Sequence, residues 1–169
     1  MSLILEGFMG SGKSAVGRRL SARLGLDFID TDAEIERRQG CAIAEIFSDC
    51  GEEAFRQMET SMLYGLLLSE SRAVISLGGG TPMRAVNREI IKRLGRVVYL
   101  KAPAKTLISR LERGAEKRPM LAGHDLGDRV RELLNDREET YISLADDVID
   151  VSSDDMDKTC DMIMEALKE

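Results

Sequence analysis

The sequence predicts a three-layer α/β/α domain on a central five-stranded parallel sheet. Two observations carry this. Five short, largely apolar runs (3–5, 27–30, 73–77, 96–100 and 148–151) alternate with helical patterns, an order that implies a parallel sheet covered on both faces. The first run leads directly into Gly7-Phe8-Met9-Gly10-Ser11-Gly12-Lys13-Ser14. That is G-x-x-x-x-G-K-[ST] in the strand–loop–helix setting where it cradles phosphate. A chain of 169 residues suits one such domain with a proper core.

In the loop, glycines let successive N–H groups point at an anion, and the following helix adds its positive end. Gly10, Ser11, Gly12, Lys13, Ser14 and Ala15 are the candidate nucleotide contacts. Lys13 is expected to reach the β- and γ-phosphates and Ser14 to ligate Mg²⁺. A dinucleotide fingerprint, G-x-G-x-x-[GA], also fits Gly10–Ala15, with Asp30 and Asp32 about 20 residues on. That rival gives no reason for Gly7 or for the Lys-Ser pair.

The elements follow in order. Val16, Leu20 and Leu24 recur at helical spacing, and Gly25 sits where that helix should stop. Thr31-Asp32-Ala33-Glu34 matches a capping box after the second strand. Residues 32–71 read as helical, with breaks near Gly40 and Gly51. Ile43, Ile46 and Phe47 share one face, and Phe55, Met58, Met62 and Leu66 another. The run 73–77 is continuously apolar, as in a central parallel strand, and ends at Gly78-Gly79-Gly80. A helix over 84–94 should bury Val86, Ile90 and Leu94. Pro103 suits the first turn of the next helix. The stretch 113–127 lacks periodicity and reads as a flap. A helix from Val130 to Tyr141 and a closing one with Met156, Cys160, Ile163 and Leu167 on one face complete the chain.

The net charge is −6, which argues against a broad nucleic-acid or anionic-membrane surface. No apolar stretch approaches a membrane span and no leader pattern precedes the first strand, so a cytoplasmic protein is expected. Cys41, Cys50 and Cys160 are scattered without C-x-x-C spacing and read as free thiols. His124 is the only histidine, so no His/Cys metal site can form around it.

Ligands of such sheets bind at the carboxyl ends of the strands. The phosphate loop, Asp30 with Asp32, and Gly78–Gly80 follow the first three strands. With Phe55-Arg56 and Glu59, Arg118-Pro119-Met120-Leu121, and Arg137 before Tyr141, these motifs resemble the shikimate kinase family across essentially the whole chain. The resemblance implies a nucleoside-monophosphate-kinase-like fold: one domain over 1–169, a substrate-binding insertion at about 32–62 and a lid at about 113–127. It implies transfer of the γ-phosphate of ATP to the 3-hydroxyl of shikimate by a monomer, with no nucleic-acid or membrane partner.

Roles follow from the same resemblance. Asp32 would hold the reacting hydroxyl, and Asp30 would act near Mg²⁺ through water. Arg56 and Arg137 would grip the shikimate carboxylate, as the geometry of guanidinium allows. Gly78, Gly79 and Gly80 would offer backbone N–H groups to substrate. Arg118 would reach phosphate and substrate, and Arg110 would stack on adenine, with Arg113 one turn away as competitor. The lid carries Met120 where many relatives have leucine, a flexible apolar substitute. Two other readings stand beside this one: a kinase of another small hydroxy acid such as gluconate, and a non-catalytic ligand-sensing module.

Overall fold

The computed structural model describes residues 1–70, 72–113 and 125–168. Its elements run β1 (Ser2–Glu6), α1 (Lys13–Leu24), β2 (Asp27–Asp30), α2 (Thr31–Gln39), α3 (Ile43–Ser69), β3 (Ala73–Ser76), α4 (Ala85–Leu94), β4 (Gly95–Lys101), α5 (Ala104–Arg113), α6 (Leu126–Leu144), β5 (Asp147–Asp150) and α7 (Met156–Ala166). A single 3₁₀ turn, Thr81–Met83, follows the glycine run. The five strands are all parallel, in the order β2-β3-β1-β4-β5. The first strand is therefore central, and its loop opens at the middle of the sheet's carboxyl edge.

Alternation along β1 splits the core in two. Leu3 and Leu5 face a cluster with Val16 and Leu20 of α1, Leu107 of α5 and Ile163 of α7. Ile4 faces the other way, onto Leu63 of α3 and Ile90, Ile91 and Leu94 of α4. Both faces are dry, so β1 reads as a continuous apolar run. A third cluster, Ile35, Ile46, Phe55 and Met62, ties α2 to α3 outside the sheet. Truncating a fully buried member such as Leu20 to alanine should destabilise the fold by about 2–5 kcal/mol.

The expected helix breaks are present. Gly25 and Gly40 end α1 and α2 in left-handed conformations. Gly51, at φ 81° and ψ 166°, kinks α3. Three local expectations fail. The cap of α2 is Asp30, whose side chain accepts from the N–H groups of Asp32 and Ala33, and Thr31 is already helical. Asn87 rather than Val86 is buried on α4, because its amide bonds Thr81 and accepts from Thr60. Pro103 precedes α5, its carbonyl accepting from Leu107. Val86 and Met156 are exposed. All three cysteines are free thiols. Among the described residues no helix is long and apolar enough to cross a membrane. Arg118, the rest of the lid motif and His124 lie outside the described residues.

Candidate active site

One open crevice of about 600 Å³ lies at the carboxyl edge of β1, β2 and β3. The phosphate loop forms its floor. Gly12 caps α1 at φ 89°, a left-handed conformation that costs a side-chain-bearing residue roughly 1–2 kcal/mol. Lys13 folds back over the loop, donating from Nζ to the carbonyls of Gly7 at 2.8 Å and Phe8 at 3.0 Å. Ser14 donates to Asp30 across the top of the loop. Asp30 therefore serves both the cap of α2 and the first turn of α1. Ala15 lines the same mouth.

Thr31 has a different task from the one its sequence context suggests. Its hydroxyl donates to Ser76 O at 3.3 Å and accepts from Gly78 N–H at 3.1 Å. It thereby pins the glycine loop to β2. The N–H of Gly78 is thus taken by the protein, which corrects the expectation that all three glycine amides face a ligand. Gly78 and Gly80 are needed for space instead. A Cβ at Gly78 would lie 2.5 Å from an Asp32 carboxylate oxygen, and one at Gly80 would lie 2.5–2.7 Å from three atoms of the Arg56 guanidinium.

Asp32 is enclosed with one carboxylate oxygen lacking a hydrogen-bond partner among the described residues. Burial, then the neighbouring Glu59 and Asp30 carboxylates, push its pKa up to about 6, against the pull of Lys13 and Arg56. An acceptor near neutrality, close to a phosphate loop, is suited to receive a hydroxyl proton.

Two arginines enter from opposite sides. Arg56 on α3 donates to Glu59 at 2.8 Å and Glu52 at 3.2 Å. Glu59 is itself buried and also accepts from Thr81 at 2.5 Å, so the guanidinium is held from behind. Arg137 on α6 is buried, with its guanidinium carbon 5.9 Å from the Phe8 ring centroid. Its helix is tied to the glycine loop by Tyr141, whose hydroxyl donates to Gly79 O. Phe47 and Phe55, 5.1 Å apart between centroids, form an apolar wall of the crevice.

Arg110 lies on the other side of the phosphate loop, donating to Gly10 O at 3.4 Å and to Val151 O at 2.6 Å. Arg113 is far more exposed and, among the described residues, meets Asp154 and Ser109. Of the two, Arg110 is the one fixed beside the loop. Sequence reasoning had no signal for Thr31 as a tether, for Tyr141 as a strut, or for Glu6. That last acid, at the end of β1, is fully buried. Among the described residues no three His, Cys, Asp or Glu side chains gather as a metal cluster.

Comparisons with known proteins agree in direction. The family model described as shikimate kinase matches residues 9–168. A shikimate kinase of Nitratidesulfovibrio vulgaris is 41% identical over 149 residues, covering 87% of this chain and 85% of its own. One from Symbiobacterium thermophilum is 39% identical over 170 residues, covering 100% and 97%. Among solved structures, shikimate kinase from Acinetobacter baumannii in complex with shikimate superposes with a TM-score of 0.92 at 36% identity, covering 98% of this chain and 92% of that one.

Proposed function

The chain belongs to the shikimate kinase family and is an ATP-dependent small-molecule kinase, and from that premise we propose how its crevice moves the γ-phosphate of ATP to the 3-hydroxyl of shikimate. The observation that carries the reading is the convergence of Arg56, Arg137 and Asp32 on one crevice floored by the phosphate loop. Two guanidinium groups suit a single ring carboxylate. Asp32 then receives the hydroxyl proton, and Lys13 leaves the loop carbonyls for the β- and γ-phosphates. The transition state is loose and charge-rich, so orientation and fixed cations supply most of the acceleration.

Gly10, Ser11, Gly12 and Ala15 line the nucleotide phosphates, Arg110 flanks the base, and the amides of Gly79 and Gly80 face the substrate. Ser14 and Asp30, an oxygen-only pair side by side at the loop mouth, fit Mg²⁺, which takes few protein ligands and completes its shell with phosphate and water. Bound there, the ion supplies charge neutralisation across the phosphates. Arg118, from a lid at about 113–127, completes the cation set, and the insertion at about 32–62 carries Arg56 to the substrate. The same reading has the enzyme act as a monomer in the cytoplasm, with neither nucleic acid nor membrane as partner, in keeping with its net charge of −6.

A coupled ADP-release assay with shikimate, quinate and gluconate tests this. Turnover with shikimate well above the other two is expected. No ADP above background with shikimate, or a preference for gluconate, refutes the reading.

A further inference from the structure

Glu6 ends β1 immediately before the first glycine of the phosphate loop, and its side chain has no solvent exposure. Neither carboxyl oxygen has a hydrogen-bond partner among the described residues. An ionised carboxylate in such a place needs a cation to offset its lost hydration. Among the described residues the cation that acts on it is Lys13, whose ammonium bonds the carbonyls of Gly7 and Phe8, the two residues directly after Glu6.

Two phenols bear on it as well. Tyr99, its register partner on β4, and Tyr141 of α6 both feel the Glu6 charge. Burial drives both phenols upward, Tyr141 to about 12. Arg137 and Glu138 of α6 and Arg56 of α3 bear on those tyrosines, and Glu138 is paired with Lys101 at 3.0 Å.

We propose that Glu6 is a positioning residue for Lys13: as the neutral acid it lets the lysine turn to nucleotide phosphate, and as the carboxylate it holds the lysine back in the loop. The inference rests on the assignment of Lys13 to the nucleotide. Burial raises the Glu6 pKa to about 8, and Lys13 is the influence that opposes the rise. Moving Lys13 to the phosphates removes that opposition, and the phosphates add negative charge, so the nucleotide-bound enzyme holds the proton more tightly still. Nucleotide binding therefore takes up a proton at pH values near and above 8, and affinity falls as pH rises. With the free enzyme titrating near 8, affinity should drop about tenfold between pH 7 and pH 9.

The experiment is calorimetric titration of the whole protein with Mg²⁺–ADP from pH 7 to 9, in two buffers of different ionisation enthalpy. The expected result is uptake of roughly 0.7 proton per ADP at pH 8.5 and a tenfold weakening by pH 9. Glu6→Gln should give a flat profile with no uptake. The wild-type measurement needs no variant, so it stands if the substitution misfolds. ADP binding without proton uptake and with constant affinity overturns the inference. An absence of ADP binding at every pH overturns the assignment of Lys13 itself.

Discussion

Replacing Gly80 by alanine changes one atom group against Arg56. The backbone there, φ −92° and ψ −10°, is ordinary right-handed helical conformation, so alanine adopts it without strain. The new Cβ, however, would lie 2.5, 2.6 and 2.7 Å from the two terminal nitrogens and central carbon of the Arg56 guanidinium. Restoring van der Waals contact moves that group by about 1 Å. The Arg56–Glu59 bond, now 2.8 Å, and the Arg56–Glu52 bond at 3.2 Å would both be stretched. Stability should change by no more than about 2 kcal/mol. The weakened ion pair opposes the roughly 0.4–1 kcal/mol that alanine adds by restricting the unfolded chain. Function should suffer more, because a 1 Å misplacement of a positioning group costs about 10²-fold. The assay is kcat/KM for shikimate beside ADP affinity and Tm. We expect a fall of about 100-fold for shikimate, ADP affinity within about threefold, and Tm lowered by no more than about 8 °C. Gly79→Ala is the internal comparison. Its Cβ would meet its neighbours at 3.5–3.6 Å, so its loss should stay below about tenfold. Shikimate kinetics within threefold of wild type for Gly80→Ala, or an equal loss for the nucleotide, would refute the steric argument.

Three further outcomes are expected. Lys13→Met should keep a native circular dichroism spectrum while turnover falls by about 10³ or more; a loss under tenfold in folded protein removes Lys13 from the chemistry. Arg56→Ala and Arg137→Ala should each weaken shikimate binding by about 2–5 kcal/mol, with the double variant well short of the sum; additive losses would mean that they do not share one carboxylate. Asp32→Asn should lower single-turnover rates by roughly 10²–10⁴ yet stabilise the nucleotide-free protein. The Asp32 pKa of about 6 in the folded state exceeds the unfolded value near 3.9, so wild type loses stability as pH rises from about 4 to 6. The variant should be more stable than wild type by up to about 3 kcal/mol at pH 7 and no more stable at pH 4. Equal denaturant midpoints at the two pH values would contradict the burial argument.

What the sequence made legible was what neighbours along the chain decide. The phosphate loop, the five strands and the breaks at Gly25, Gly40 and Gly51 all follow from local spacing and backbone preference. The two arginines of the crevice followed from motifs. What escaped depends on contacts from distant segments. Thr31 and Asp30 are both plausible caps by composition, and the choice falls to Asp30 because Ser76 and Gly78, more than 40 residues away, engage the Thr31 hydroxyl. Asn87 looks like a surface residue until Thr60 and the Thr81 carbonyl give its amide partners in the core. Glu6 looks like an ordinary charged strand end, and only the order of the strands buries it. The role of the triple glycine was half read: close approach to a ligand was expected, but not the space that Gly78 and Gly80 leave for Asp32 and Arg56.

The central place of β1 has a consequence for synthesis. Its hydrogen-bonding neighbours are β3 and β4, which leave the ribosome long after it. Pairing with β4 is complete only at Tyr99, so at 5–20 residues per second β1 waits roughly 5–20 s for its second partner. Until β3 is made both edges of this apolar segment are open, one edge stays open until β4 follows, and the phosphate loop lacks its full frame. Chains cut before about residue 95 should therefore bind no nucleotide and should be the ones that chaperones retain.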